Sequence, residues 1–177
     1  MRLIYIFTSP AQGQNRIAIY HFAAEKHTHN KTAAQYNSHL KFIFIHHPRS
    51  DIEGVLPAIE NINFTQYDVT MLGGDLTWTT SEDTATMAYC DSIFDLGSPN
   101  TLWSLGSHDV QREDSGIIKS FTGRESYYAY NRDGITFLVL DTELDANGSS
   151  GTFIKGEQLQ MVKKCCYCVD FNYIYRY

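Results

Sequence analysis

The chain has 177 residues, 14 of them Lys or Arg and 20 Asp or Glu, so its net charge is −6 with histidine neutral. This length corresponds to one domain, and 43% hydrophobic with 19% charged residues is typical of a globular rather than a disordered chain. The acidic balance argues against a general nucleic-acid binder, which needs a basic surface. One feature is unusual, because none of the seven histidines follows His108.

The two ends of the chain differ from its middle. Residues 1–40 are polar and show no periodicity that would place them in a core, so we expect an irregular N-terminal segment. Residues 41–164 carry regular patterns, whereas residues 165–177 form an atypical tail that holds three of the four cysteines. This abrupt change suggests a truncated coding sequence or a change of reading frame after Lys164.

No run of about 20 apolar residues predicts a transmembrane helix. The apolar run near the N-terminus is too short, and the residues after it are too polar, for a convincing signal peptide. We therefore expect a soluble protein without a membrane span, cytoplasmic by default.

The first regular elements alternate between strand and helix. Residues 42–45 form an apolar run typical of a buried parallel strand, and residues 69–72 form a second one that ends at two glycines. Between them, Ser50 and Glu53 have the spacing of a capping box. It predicts a helix whose apolar face carries Ile52, Val55, Leu56, Ile59 and Ile62.

The same alternation continues in the second half of the chain. A helix is predicted from Ser81 to Phe94, because acidic residues occupy its first turn and Gly97 and Pro99 follow it. Residues 101–105 predict a third strand, and the β-α-β-α-β order predicts parallel pairing. Residues 127–130 and 135–140 predict a hairpin, and residues 156–164 a final helix.

Polar side chains follow each predicted parallel strand. They are His46 and His47, then Asp75, then Ser107, His108 and Asp109. In open α/β sheets, ligands bind beyond the carboxyl ends of the strands, so we expect these side chains to meet there. Carboxylate and imidazole groups together suit Mn, Fe or Zn.

Gly73-Gly74-Asp75 after one strand and Gly106-Ser107-His108-Asp109 after the next resemble the motifs of the calcineurin-like metallophosphoesterase family. That family carries Gly-Asp and Gly-Asn-His-(Asp/Glu) motifs at a separation similar to the 33 residues between Asp75 and His108. Residues 135–164 are also similar to the strand and helix that follow in the family. The resemblance covers residues 41–164 and implies an α/β fold, a four-layer αββα sandwich, here incomplete at the C-terminus.

The resemblance also implies a chemistry. The family hydrolyses phosphomonoesters or phosphodiesters at a centre of two divalent or trivalent metal ions, Mn, Fe or Zn. Asp75 matches the carboxylate that bridges the metals, and His108 matches the histidine that assists departure of the leaving group. Asp109 would orient His108, and Ser107 occupies the position of a metal-binding asparagine.

The family's first motif, Asp-x-His after the first strand, is not intact, and two alignments stay open. One places His46 or His47 at the strand end as the ligand; the other places Asp51 there, within Ser50-Asp51-Ile52-Glu53-Gly54. We lean toward His47, because the capping box already accounts for Ser50 and Glu53. Arg49 or Arg112 would contact phosphate as a bidentate donor.

The family also supplies histidines after the final helix, and this sequence has none there. We therefore expect the second metal site to be incomplete. Two functions stay open: metal-dependent hydrolysis of a small-molecule phosphoester, or a truncated, catalytically inactive relative that at most binds a metal or a partner. Missing C-terminal strands would expose a sheet edge, so self-association is also expected.

Overall fold

Two β-sheets and the helices beside them make up the part of the chain that the structure describes. The computed structural model describes residues 2–6, 16–18, 40–50, 54–110, 115–133, 135–141, 154 and 156–165. Within these ranges the structure is mixed α/β, with both parallel and antiparallel strand pairs.

The larger sheet contains four strands in the order β2 (Arg16–Ala18), β3 (Phe42–His46), β4 (Val69–Leu72) and β5 (Thr101–Trp103). Strands β3, β4 and β5 are parallel, whereas β2 runs antiparallel to β3. Every residue of β4 and β5 is buried, as expected for parallel strands covered on both faces. The predicted parallel pairing of these three strands is confirmed.

Three helices alternate with the strands in this region: α1 (Pro57–Glu60), α2 (Thr84–Phe94) and α3 (Ser115–Thr122). The ends of α2 are set by local chemistry. The Asp83 carboxylate accepts a hydrogen bond of 2.8 Å from the Thr86 amide at the N-terminus. Asp95 ends the helix in the left-handed conformation, at φ 50°.

The smaller sheet has the order β1 (Arg2–Ile6), β7 (Ile135–Val139) and β6 (Tyr128–Arg132). Strands β6 and β7 form the predicted antiparallel hairpin, and β1 pairs with β7 in parallel. Helix α4 (Gly156–Cys165) follows. In the part of the chain described here, no helix is long and apolar enough to cross a membrane.

The strands contribute alternate residues to different cores, as the two-residue period of a strand requires. Ile43 and Ile45 of β3 pack with the helical residues Ile59, Met87 and Phe94. A second cluster joins the two sheets and contains Phe42, Val69, Met71, Leu102, Ile135, Phe137 and Val139. A third contains Leu138, Leu140 and Val162, so the other face of β7 packs against α4.

The helix predicted from Ser50 begins only at Pro57. Arg49 and Val55 instead form an antiparallel bridge, and Gly54 has φ 142°, which is incompatible with a helix. Pro57 suits the first turn of a helix because that position needs no amide hydrogen. Residues 51–53 of the predicted capping box lie outside the described part of the chain.

Other differences concern elements rather than the order of the strands. The expectation of an irregular N-terminal segment is wrong for residues 2–6 and 16–18, which are strands. Helix α3 was not predicted, α2 begins at Thr84 rather than Ser81, and the third parallel strand ends at Trp103. The predicted tail after Cys165 lies outside the described residues.

Besides the apolar packing, one polar side chain of α4 is hydrogen-bonded to a residue shortly after the end of β7. The buried amide of Gln158 accepts a hydrogen bond of 2.7 Å from the Asp141 amide and donates one of 2.9 Å to the Asp141 carbonyl. We expect Gln158→Ala to lower the free energy of unfolding by about 2 kcal/mol, because two buried backbone groups lose their partners. Urea denaturation would measure this, and the exposed Gln160→Ala on the same helix should change it by less than about 0.5 kcal/mol.

Candidate functional site

The carboxyl ends of β3, β4 and β5 meet closely because glycines follow the latter two strands. A Cβ atom on Gly74 would lie 2.6 Å from the Gly106 amide nitrogen, and Gly74 has φ 85°. A Cβ atom on Gly106 would lie 2.3 Å from Asp75 Oδ1. Only glycine at both positions allows the two loops to approach this closely.

Asp75 lies at the centre of this region. It is buried, and its backbone is in the left-handed region at φ 52°. Its Oδ1 accepts a hydrogen bond of 2.9 Å from the His108 amide, and its Oδ2 accepts one from His47 Nε2. A non-glycine residue held in this conformation stores strain, which is common at functional sites.

The two histidines after β3 have different environments. His47 also has a left-handed backbone, at φ 50°, and its ring points to Asp75. His46 donates from Nδ1 to the Gly73 carbonyl at 2.7 Å, and the two imidazole rings stack with centroids 4.2 Å apart. Burial lowers the pKa of His46, so the ring favours its neutral form.

The Asp109 carboxylate joins the loops after β4 and β5 through hydrogen bonds to amides of both. Its Oδ2 accepts hydrogen bonds from the amides of Asp75 at 2.7 Å and Gly106 at 2.8 Å, and its Oδ1 from Leu76 at 3.1 Å. Burial raises the pKa of this carboxyl to about 6, against the opposing effect of these hydrogen bonds. The expectation that Asp109 orients the His108 side chain stays a prediction; the hydrogen bonds described here join its carboxylate to backbone amides.

Arg49, Trp78 and His108 form the outer side of the site. The Arg49 guanidinium lies over the Trp78 ring, 3.7 Å from its centroid, and its Nη1 is 3.9 Å from Asp75 Oδ2. The His108 ring meets Trp78 edge to face at 5.0 Å, and its Nδ1 donates to the Trp78 carbonyl at 3.1 Å.

The structure therefore brings most of the predicted residues together. His46, His47, Arg49, Asp75, His108 and Asp109 all lie at the strand ends, and Ser107 is exposed beside them. Asp51 and Arg112 lie outside the described residues, so the alternative alignment of the first motif stays a prediction. Trp78 was not predicted, although its position three residues after Asp75 in the same loop was a signal.

A metal ion fits this site only in part. The His47 imidazole and the Asp75 carboxylate converge, and an ion between them would replace the shared proton. Among the described residues, no group of three or more His, Cys, Asp or Glu side chains is placed to hold a metal. The donors that the structure describes would supply two ligands to one ion, with further ligands from water or substrate, and the second metal ion stays a prediction.

Comparison with known proteins adds nothing to this description, since no family model, no curated protein and no solved structure matches the chain.

Proposed function

We propose that the protein hydrolyses a small phosphoester at the carboxyl ends of β3, β4 and β5, as a relative of the calcineurin-like metallophosphoesterases. The observation that carries this proposal is the cluster of Asp75, His47, Arg49 and His108, which lie together beyond the carboxyl ends of the parallel strands. Acidic, basic and cationic side chains that converge beyond the ends of parallel strands are what phosphoryl transfer requires.

The packing supports the corresponding fold. One face of the larger sheet packs against helices, the other face packs against the smaller sheet, and the smaller sheet packs against α4. This order is the one expected for a four-layer αββα sandwich, which we propose as the architecture of residues 41–164.

Each residue of the site has a task in this proposal. A metal ion held by Asp75 and His47 would supply positive charge to the phosphoryl oxygens and make a water molecule more acidic. Arg49 Nη1 binds a phosphoryl oxygen and neutralises charge as the ester bond breaks. As a water oxygen bonds to phosphorus and the ester bond breaks, His108 in its protonated form gives a proton to the departing oxygen. Asp109 keeps the two loops in register.

A specific observation favours a second candidate, a catalytically inactive relative. The Arg49 guanidinium lies 3.9 Å from Asp75, so its positive charge can stabilise this carboxylate without a metal ion. Among the described residues, only His47 and Asp75 converge as metal ligands. A protein that holds no metal there would bind an anion at Arg49 without hydrolysing a phosphoester.

Hydrolysis of 4-nitrophenyl phosphate and bis(4-nitrophenyl) phosphate by the purified chain with added Mn²⁺ separates the two candidates. We expect Mn²⁺-dependent turnover that falls at least about 100-fold in Asp75→Asn and in His108→Ala, because each removes a group that acts in the reaction. Asp95→Asn changes an exposed carboxylate at the C-terminal end of α2; it is the matched control and should retain activity. A folded protein without turnover in either assay would support the inactive relative.

A further inference from the structure

Trp78 is an exposed aromatic ring at the edge of the site. Among the large hydrophobic side chains that the structure describes, only that of Trp78 is exposed, with 38% of its surface accessible to solvent. Leaving an indole ring in water forfeits the stabilisation that burial would provide. A role in the interior of the fold therefore does not account for its position.

The ring is nevertheless held in place. Its Nε1 donates a hydrogen bond of 2.8 Å to the Ser50 carbonyl, which fixes the plane of the indole. Arg49 stacks on it at 3.7 Å, and the His108 ring meets it at an angle of 85°. A rigid aromatic surface next to the reacting groups loses little conformational entropy when a second flat group packs on it.

The guanidinium on this ring has a donor that lacks a hydrogen-bond acceptor in the described part of the chain. Arg49 Nη1 is buried and has no hydrogen-bond partner among the described residues, although it lies 3.9 Å from Asp75. A buried donor without an acceptor is costly, and a phosphoryl oxygen would satisfy it. An anion at Nη1 would sit within reach of the same ring that carries the guanidinium.

We propose that Trp78 determines substrate specificity by selecting phosphoesters that carry a flat aromatic substituent. The phosphoryl group would bind Arg49 Nη1 while the aromatic group packs on the exposed part of the Trp78 ring. The inference rests on the proposed function, because it assumes that a phosphoester occupies the site. It adds the chemical class of the ester: aryl or heteroaryl rather than alkyl.

Calorimetric binding of phenyl phosphate and ethyl phosphate to the full chain, with no added metal so that neither ester is hydrolysed, tests this proposal. We expect phenyl phosphate to bind about tenfold more tightly, as one aromatic contact typically provides. The ratio of the two dissociation constants should approach one in Trp78→Leu and remain largely unchanged in Trp78→Phe, which keeps an aromatic ring.

A second aromatic ring serves as the matched control. Tyr67 also carries a cation, with Lys41 Nζ 4.8 Å from its centroid, but it belongs to a different part of the fold. Tyr67→Leu should leave the preference for phenyl phosphate intact. A general loss of stability would weaken both ligands equally, whereas the ratio reports on the aromatic contact alone.

The outcomes separate this inference from the proposed function. Equal affinities for the two esters, or a preference that survives in Trp78→Leu, would overturn the role of Trp78 even if the chain hydrolyses both. A Trp78-dependent preference without any hydrolysis when Mn²⁺ is added would overturn the enzymatic proposal and support the binding role. Absence of binding by either ester would overturn the inference, and absence of Mn²⁺-dependent hydrolysis as well would overturn both.

Discussion

Gly74→Ala is expected to lower the free energy of unfolding by about 4 kcal/mol. About 1 kcal/mol comes from forcing a side chain into the left-handed region, since Gly74 has φ 85°. The remainder, about 3 kcal/mol, comes from steric overlap, because the new Cβ atom would lie 2.6 Å from the Gly106 amide nitrogen.

Gly123→Ala separates the two contributions. Gly123 also has a left-handed backbone, at φ 65°, but nothing lies within 4 Å of the position of its Cβ atom. We expect it to cost only about 1 kcal/mol. Urea denaturation of both variants measures the difference; equal losses would mean that the loops after β4 and β5 do not approach as closely as described.

Asp109→Ala is expected to cost about 4 kcal/mol, because three buried backbone amides would lose their acceptor at once. Asp109→Asn preserves the shape of the side chain but replaces one oxygen with a donor that faces these amides. We expect it to cost about 2 kcal/mol, which places it between alanine and the native carboxylate.

The unfolding free energies of the two Asp109 variants can be compared with that of Asp95→Asn. Asp95 is exposed in the left-handed conformation, which asparagine adopts readily, so this substitution should change stability by less than about 0.5 kcal/mol. If Asp109→Ala were equally mild, the carboxylate would not be what joins the two loops.

The parallel core could be predicted because its signals are local. Strand β3 is an apolar run that ends at His46, and β4 is a mostly apolar run that is followed by Gly73. Burial on both faces of the sheet leaves little choice of residue type in such strands. The polar residues after them are adjacent in space because parallel strands end at the same edge. The positions of His47, Asp75 and His108 therefore followed from the order of the elements.

Strands β1 and β2 could not be predicted in the same way. Strand β2 has only three residues, and each of the two strands is defined by pairing with a distant partner: β1 with β7, and β2 with β3. The predicted start of the first helix at Ser50 was wrong for a related reason. The local capping pattern favoured a helix, but the bridge between Arg49 and Val55 and the Trp78 bond to Ser50 hold the described residues on either side of positions 51–53 outside a helix.

The roles of Asp109 and Trp78 depend on three-dimensional contacts that sequence spacing does not encode. Asp109 follows His108 directly, which suggested an interaction between the two side chains. In the structure its carboxylate is buried and turned toward amides of both loops. Trp78 gains its significance only from the position of Arg49, which lies 29 residues earlier in the chain.

The central claim is that the His47–Asp75 pair and Arg49 form one site for a metal ion and a phosphoryl group. Anomalous diffraction from crystals grown with Mn²⁺ and inorganic phosphate tests it most directly. We predict a manganese peak in contact with both the Asp75 carboxylate and the His47 imidazole, with phosphate bound to Arg49. A well-ordered site without manganese, or with phosphate located away from Arg49, would contradict the claim.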